Sequence, residues 1–164
     1  MFPFLAICLF LSVLPLAGRA ADCTQPAGPQ VDWQRCYVDG RDFTAHDLSR
    51  ARLRETSFQR ATLDQAVLAG VDGYRARFTS ASMKGARLDA GTFAEADFTK
   101  ADLAGASLKE ADLRRTKFFR ANLRGADLTG AKTLGADFLN ADLSGARWVD
   151  GNRICAEGSL GQCN

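Results

Sequence analysis

The residues best suited to chemistry in this chain are few, and nothing in their spacing assembles a reaction centre. His46 is the sole imidazole among 164 residues, and no nucleophile elbow, phosphate loop or paired-histidine metal motif accompanies it. A hydrolase centred on His46 would need a serine and a carboxylate delivered to it by the fold, and it would lose activity on His46→Ala. Carboxylates are plentiful, 19 Asp and Glu against 21 Lys and Arg. A general acid and base, however, need a cleft that drives their pKa values apart. The remaining reactive groups are thiols. Setting aside Cys8, they are Cys23, Cys36, Cys155 and Cys163, with no C-x-x-C spacing and no histidine beside them, a pattern that argues against a metal site. The expectation is a chain that is not an enzyme and holds no cofactor or metal.

The carboxylates are numerous because they belong to a repeat. Ala101-Asp102-Leu103, Ala111-Asp112-Leu113, Ala121-Asn122-Leu123, Ala126-Asp127-Leu128 and Ala141-Asp142-Leu143 share one five-residue register. From Phe43 the large apolar residue, here called the centre of each pentad, recurs through Leu48, Leu53 and Phe58 to Trp148 without an insertion. A small residue, usually alanine, stands two positions before the centre from Ala51 to Ala146. Val31 with Trp33, and Cys36 with Val38, carry the register backwards, so the array can be drawn from 31 to 150.

A period of five suits neither an α-helix nor a flat strand. In a helix, centres five apart rotate by about 140° each time and form no stripe. In a strand the small residue and its centre face one way, but the next pair faces the other. A corner in every pentad restores the inward direction. A chain that turns alike at each corner becomes a solenoid whose coils stack at about 4.8 Å and satisfy one another's backbone.

Four sides per coil follow from sorting the centres at a spacing of twenty. One column is wholly aromatic: Phe58, Phe78, Phe98, Phe118 and Phe138. A second holds Leu48, Leu68, Leu88, Leu108 and Leu128, ended by Trp148. A third reads Phe43, Leu63, Met83, Leu103, Leu123, Leu143, and the fourth contains both weak centres, Gly73 and Thr133, beside Phe93 and Leu113.

The A-(D/N)-L-x-x series resembles the pentapeptide-repeat family. The resemblance covers about three quarters of the chain and implies an all-β, right-handed quadrilateral β-helix, here of about six coils. It implies little about function, because members of that family range from antibiotic-resistance factors to effectors. Some end-to-end contacts occur in the family, so the expectation is a monomer or an end-to-end homodimer. Members that protect type II topoisomerases imitate DNA with a strongly acidic surface. A formal charge of +2 sets this chain apart from them, and no nucleic-acid partner is expected.

The chain divides into residues 1–20, read as a signal peptide cleaved after Ala20, 21–40 as an N-terminal cap with irregular first pentads, 41–150 as the β-helix, and 151–164 as a C-terminal cap. The signal reading rests on the apolar run from Phe4 to Leu16 and on Gly18-Arg19-Ala20. It places the mature protein in the periplasm or outside the cell, where disulfides persist. With six coils separating the ends by roughly 25 to 30 Å, bridged Cα atoms within about 7 Å of each other require Cys23–Cys36 and Cys155–Cys163. Such pairs would staple the two ends.

Function then falls to the outward positions. Phe119 and Leu139 follow their centres twenty residues apart, with Leu134 on the neighbouring side, and form a candidate protein-interaction patch. Arg60, Lys100 and Arg120 form a basic column, the candidate for anion contacts or an anionic membrane surface. Glu55, Arg75, Glu95 and Arg115 alternate in sign down one corner, a self-compensating ladder. The reading is an exported, non-catalytic scaffold of the bacterial envelope, with an anion-binding module as the alternative; a DNA mimic and a hydrolase stand below both.

Overall fold

The computed structural model describes residues 21–164; the proposed signal peptide, residues 1–20, lies outside the described residues. Among them, parallel bridges join residues twenty apart, from Asp32↔Arg52 to Asp127↔Arg147. Each pentad contributes one bridged residue, the one between the small residue and the centre, and then a two-residue turn. The chain therefore climbs a four-sided tube. Its sides are too short for extended strands, because a corner follows every third residue.

The regular pattern of bridge and turn begins at Val31. Asp32 and Tyr37 already bridge to Arg52 and Ser57. The physical reason is that Val31/Trp33 and Cys36/Val38 fill the two inward positions as well as alanine and leucine do, and all four are buried.

The corners are built from a residue type that sequence alone does not advertise. The last residue of each pentad, from Gln30 to Gly145, has positive φ. Glycine takes this conformation freely, as at Gly125 (φ 64°), but Arg60 (φ 57°), Ala90 (φ 53°) and Glu110 (φ 57°) take it too. Positive φ at the second central position alone, with a bond such as Cys36 N–H to Trp33 O at 3.0 Å, is the type II turn.

Within the array, four of the five backbone N–H groups in a pentad follow one scheme. The small residue's N–H completes the turn, and the bridged residue's reaches the coil before, as Arg52 N–H to Val31 O at 2.9 Å. The centre and the last turn residue donate to the coil after, as Trp33 to Arg52 O at 3.0 Å and Arg35 to Arg54 O at 2.8 Å. One N–H remains, on the first turn residue. In many layers an Asp or Asn at the bridged position accepts that N–H through its side-chain oxygen: Asp47 from Ser49 at 2.8 Å, Asp97 from Thr99 at 2.8 Å, Asn122 from Arg124 at 3.1 Å. In other layers an aspartate of the preceding coil does the same work, Asp64 for Lys84 at 2.9 Å.

Inside, the centres and the small residues form one continuous core. The phenylalanine column is a single file of near-parallel rings: Phe58–Phe78 at 5.1 Å, Phe78–Phe98 at 4.7 Å, Phe98–Phe118 at 5.3 Å and Phe118–Phe138 at 5.0 Å. Gly73, a defect in the sequence pattern, is a packing device. A Cβ at Gly73 would lie 2.9 Å from the Phe93 ring, and one at Gly91 would lie 2.5 Å from it. The two glycines vacate the volume that Phe93 uses to reach Phe78 and Phe98, at 6.1 and 5.7 Å. Thr56 and Thr116, buried at small-residue positions, donate their hydroxyls to the carbonyls of Trp33 (2.5 Å) and Phe93 (2.8 Å).

The ends are finished differently. At the start, Trp33 is fully buried and its indole N–H donates to Gln25 O at 3.2 Å. The sulfurs of Cys23 and Cys36 lie at disulfide distance, with Cα atoms 5.5 Å apart. At the other end Cys155 and Cys163 lie likewise, Cα atoms 4.8 Å apart. The tail adds two antiparallel bridges, Asp142↔Leu160 and Arg147↔Ile154. Among the described residues, no helix is long and apolar enough to cross a membrane.

Candidate binding surfaces

The C-terminal tail covers only half of the last coil. It pairs with the sides carrying Leu143 and Trp148, through Leu143 N–H to Ser159 O (2.8 Å), Trp148 N–H to Arg153 O (2.8 Å) and Cys155 N–H to Ala146 O (2.8 Å). The sides carrying Thr133 and Phe138 receive no such cover. Among the described residues, the N–H groups of Thr133, Gly135 and Phe138 donate to no acceptor. Phe138 and Trp148, 5.6 Å apart edge to face, are half-buried where every earlier member of their columns is sealed. Unpaired edge groups beside apolar side chains are the usual template for pairing with another chain.

Leu134 and Leu139 border this open edge and are 81% and 60% exposed. Arg115 N–H to Leu134 O (3.0 Å) and Arg120 N–H to Leu139 O (3.1 Å) fix both to the coil before. Phe119 is half-buried, with the Arg120 guanidinium 5.1 Å from its ring centroid. Leu134, Leu139 and Phe119 are therefore neighbours on adjoining sides, continuous with the bare edge.

The sign ladder is present as ion pairs: Arg35–Glu55 at 3.6 Å, Arg75–Glu95 at 2.8 Å and Arg115–Glu95 at 3.8 Å. The hydrogen bond from Arg75 holds the Glu95 carboxyl below the usual carboxylate range. These pairs are largely solvated and contribute little to stability. A shallow groove lined by Arg35, Tyr37, Glu55, Arg75 and Arg77 opens beside the ladder.

The carboxylates are occupied by the fold. Bonds from Thr44 hold Asp42 below its ordinary pKa, and bonds from Ser49 do the same for Asp47. The Arg114 guanidinium does so for Asp112. All three lie on the bridged positions that cap the turns, which fits them to accept hydrogen bonds and not to exchange protons near neutrality. His46 is exposed, its Nδ1 3.1 Å from Thr44 O and its ring edge-on to Phe43 at 6.0 Å. Among the described residues, no cluster of His, Cys, Asp and Glu is arranged to hold a metal ion.

Arg60, Lys100 and Arg120 fall on one line at the second turn position of the phenylalanine side, with Ser80 in the gap. None of the three takes part in an ion pair among the described residues.

The family model for pentapeptide repeats matches residues 34–70, 47–85, 56–93, 96–132 and 121–147. Among solved structures the chain is similar to HetL, a pentapeptide repeat protein involved in heterocyst differentiation regulation from the cyanobacterium Nostoc sp. strain PCC 7120. The two share 28% identity over 76% of this chain and 68% of that one, with a TM-score of 0.53. A pentapeptide repeat protein, Rfr23, from the cyanobacterium Cyanothece 51142 shares the fold at 22% identity over 71% and 90% of the two chains, with a TM-score of 0.51. No match to a curated protein is found. With twenty-residue parallel bridging, one turn per pentad and the matched repeats spanning most of its length, the chain belongs to the pentapeptide-repeat family, whose fold is the right-handed quadrilateral β-helix.

Proposed function

We propose that the protein is an exported, non-catalytic scaffold of the bacterial envelope, a rod of six coils with disulfide-stapled ends that docks a protein partner at its C-terminal end. The observation that carries this reading is the half-capped last coil: bare N–H groups at Thr133, Gly135 and Phe138 run beside exposed Leu134 and Leu139. Two cysteine pairs at disulfide distance support an oxidising compartment. The partner is a second copy or another envelope protein. A photo-crosslinker placed at position 139 in cells is expected to trap one discrete species, and the same probe should trap none when Leu134→Ser and Phe119→Ser are introduced beside it with the melting transition kept. Identical crosslinks in that double variant would refute the assignment.

A second reading, contact with an anionic surface through Arg60, Lys100 and Arg120, is favoured by the absence of ion pairs at all three among the described residues. Its signature is retention that falls as salt rises.

A further inference from the structure

The unpaired cations concentrate on one side of the square. Arg77 and Lys117 stand beside Arg60, Lys100 and Arg120 on the phenylalanine side, and none of the five makes an ion pair among the described residues. Elsewhere most cations are engaged: Arg52 with Asp32, Arg54 with Asp72, Lys84 with Asp102, Lys109 with Asp127 and Arg124 with Asp142. Two lines result, both parallel to the long axis: a basic one of Arg60, Lys100 and Arg120, and a mixed one in which Asp97 and Asp137 alternate with Arg77 and Lys117. With coils about 4.8 Å apart, Arg60, Lys100 and Arg120 are spaced at about 10 and 5 Å, and Arg77 and Lys117 at about 10 Å.

The space between the two lines is hydroxylic. Thr79 and Thr99 lie between them and Ser80 fills the gap in the first; their hydroxyls bond no protein acceptor among the described residues. An aromatic ring marks each end. Tyr37 is 75% exposed with the Arg77 guanidinium 5.6 Å from its centroid, and Phe119 carries Arg120 at 5.1 Å. Ser57, which bridges to both Tyr37 and Arg77, is wholly buried and its Oγ has no partner. The carboxylates of this side, Asp39, Asp97 and Asp137, accept the N–H groups of Gln59, Thr99 and Leu139 at 2.9, 2.8 and 2.9 Å. Each spends one oxygen on the backbone and keeps its charge, and Asp97 stands in the coil between Arg77 and Lys117, so the basic character of this side comes chiefly from Arg60, Lys100 and Arg120.

We infer that this side is a docking track for an acidic polysaccharide, a chain of uronic-acid units lying along the rod. The inference rests on the anionic-surface reading and gives it a partner. A pyranose unit is about as long as one coil is high, so a carboxylate on successive sugars meets a cation at whole-coil intervals. Free hydroxyl groups between the two lines match the ring hydroxyls, and the terminal aromatics offer faces to sugar rings. A single-stranded nucleic acid fits less well, since base stacking needs aromatics at successive nucleotides and the two rings here lie four coils, about 19 Å, apart. A lipid surface could also engage the hydroxyls and the rings, but its laterally mobile headgroups make no use of the whole-coil spacing of the cations.

The test is calorimetric titration of the purified protein with oligogalacturonate, polyphosphate, a thymidine oligonucleotide, neutral dextran and phosphatidylglycerol vesicles, at low and at physiological salt. Oligogalacturonate should bind and dextran should not. R60Q/K100Q/R120Q should weaken binding by about tenfold and flatten its salt dependence. Phe119→Ser should weaken it by about threefold with the salt dependence unchanged. Lys109→Gln, on another side, should do nothing. Binding of vesicles, polyphosphate or oligonucleotide with oligogalacturonate ignored overturns the glycan track and leaves the anionic-surface reading standing. Equal binding of every polyanion with Phe119→Ser silent overturns it too, and no binding of any anion removes both.

Discussion

If Gly73 exists to make room for Phe93, adding one methyl group at 73 should change sign with the residue at 93. Gly73 occupies a centre where other layers carry leucine, and it does not have the positive φ that would strain an L-residue. In the native background a Cβ there would meet Phe93 Cδ1 at 2.9 Å and Cε1 at 3.0 Å. The ring cannot retreat, because Phe78 and Phe98 hold it from two directions at 6.1 and 5.7 Å. Overpacking of this kind costs about 1 to 3 kcal/mol, against a gain of about 0.4 to 1 kcal/mol from stiffening the unfolded chain. Gly73→Ala should therefore destabilise by about 1 to 2 kcal/mol. In a Phe93→Leu background the clash is gone, since leucines stack on full side chains in the column of Leu48, Leu68, Leu88 and Leu108, all buried. There the same substitution should stabilise by up to about 1 kcal/mol. Urea midpoints of the four proteins, at unchanged m-value, complete the cycle. Additive effects, with Gly73→Ala costing the same in both backgrounds, would refute the account.

Two further outcomes follow from the corners. Gly125 has φ 64° and open space where a Cβ would stand, so Gly125→Ala should cost about 1 kcal/mol through backbone strain alone; Ala90→Gly, at φ 53°, should be neutral or stabilising by thermal denaturation. For pH, Asp42, Asp47, Asp112 and Asp150 are all held below their ordinary carboxyl values, Asp42 and Asp112 chiefly by side-chain hydrogen bonds and Asp47 and Asp150 chiefly by backbone N–H groups. Depressed folded values mean that their contribution is complete above the unfolded value of about 3.9 and is lost as pH falls through the folded ones. Urea midpoints should be flat from neutrality to about pH 5 and decline below about pH 4; a decline centred near pH 6 would contradict it.

The square section is legible in the sequence because Phe58, Phe78, Phe98, Phe118 and Phe138 recur every twenty residues, and like stacks on like. The corners are not, because Arg60 and Glu110 carry no mark of positive φ; the repeat itself imposes it. Aspartate reads as outward decoration until the leftover N–H of each turn shows what it bonds. Gly73 reads as a weak layer because its compensation, Phe93, lies in the next coil, and Gly91 beside it. For the surfaces, the line of Arg60, Lys100 and Arg120 and the adjacency of Phe119 and Leu139 are readable from register. Their flanking conditions are not: the bare edge depends on where the tail lands, and the lack of ion pairs at Arg60, Lys100 and Arg120 depends on how the neighbouring side chains are turned.

Bridging at a constant offset of twenty constrains how such a molecule can be lengthened. Duplicating a whole turn of the tube would lengthen the columns on all four sides and keep every downstream surface facing as before. Duplicating one pentad would add almost no height yet swing everything beyond it through a quarter revolution, parting Arg120 from Arg60. Length and facing are thus separate, quantised properties of one chain, and an insertion too small to matter in a globular loop would here redirect half the molecule.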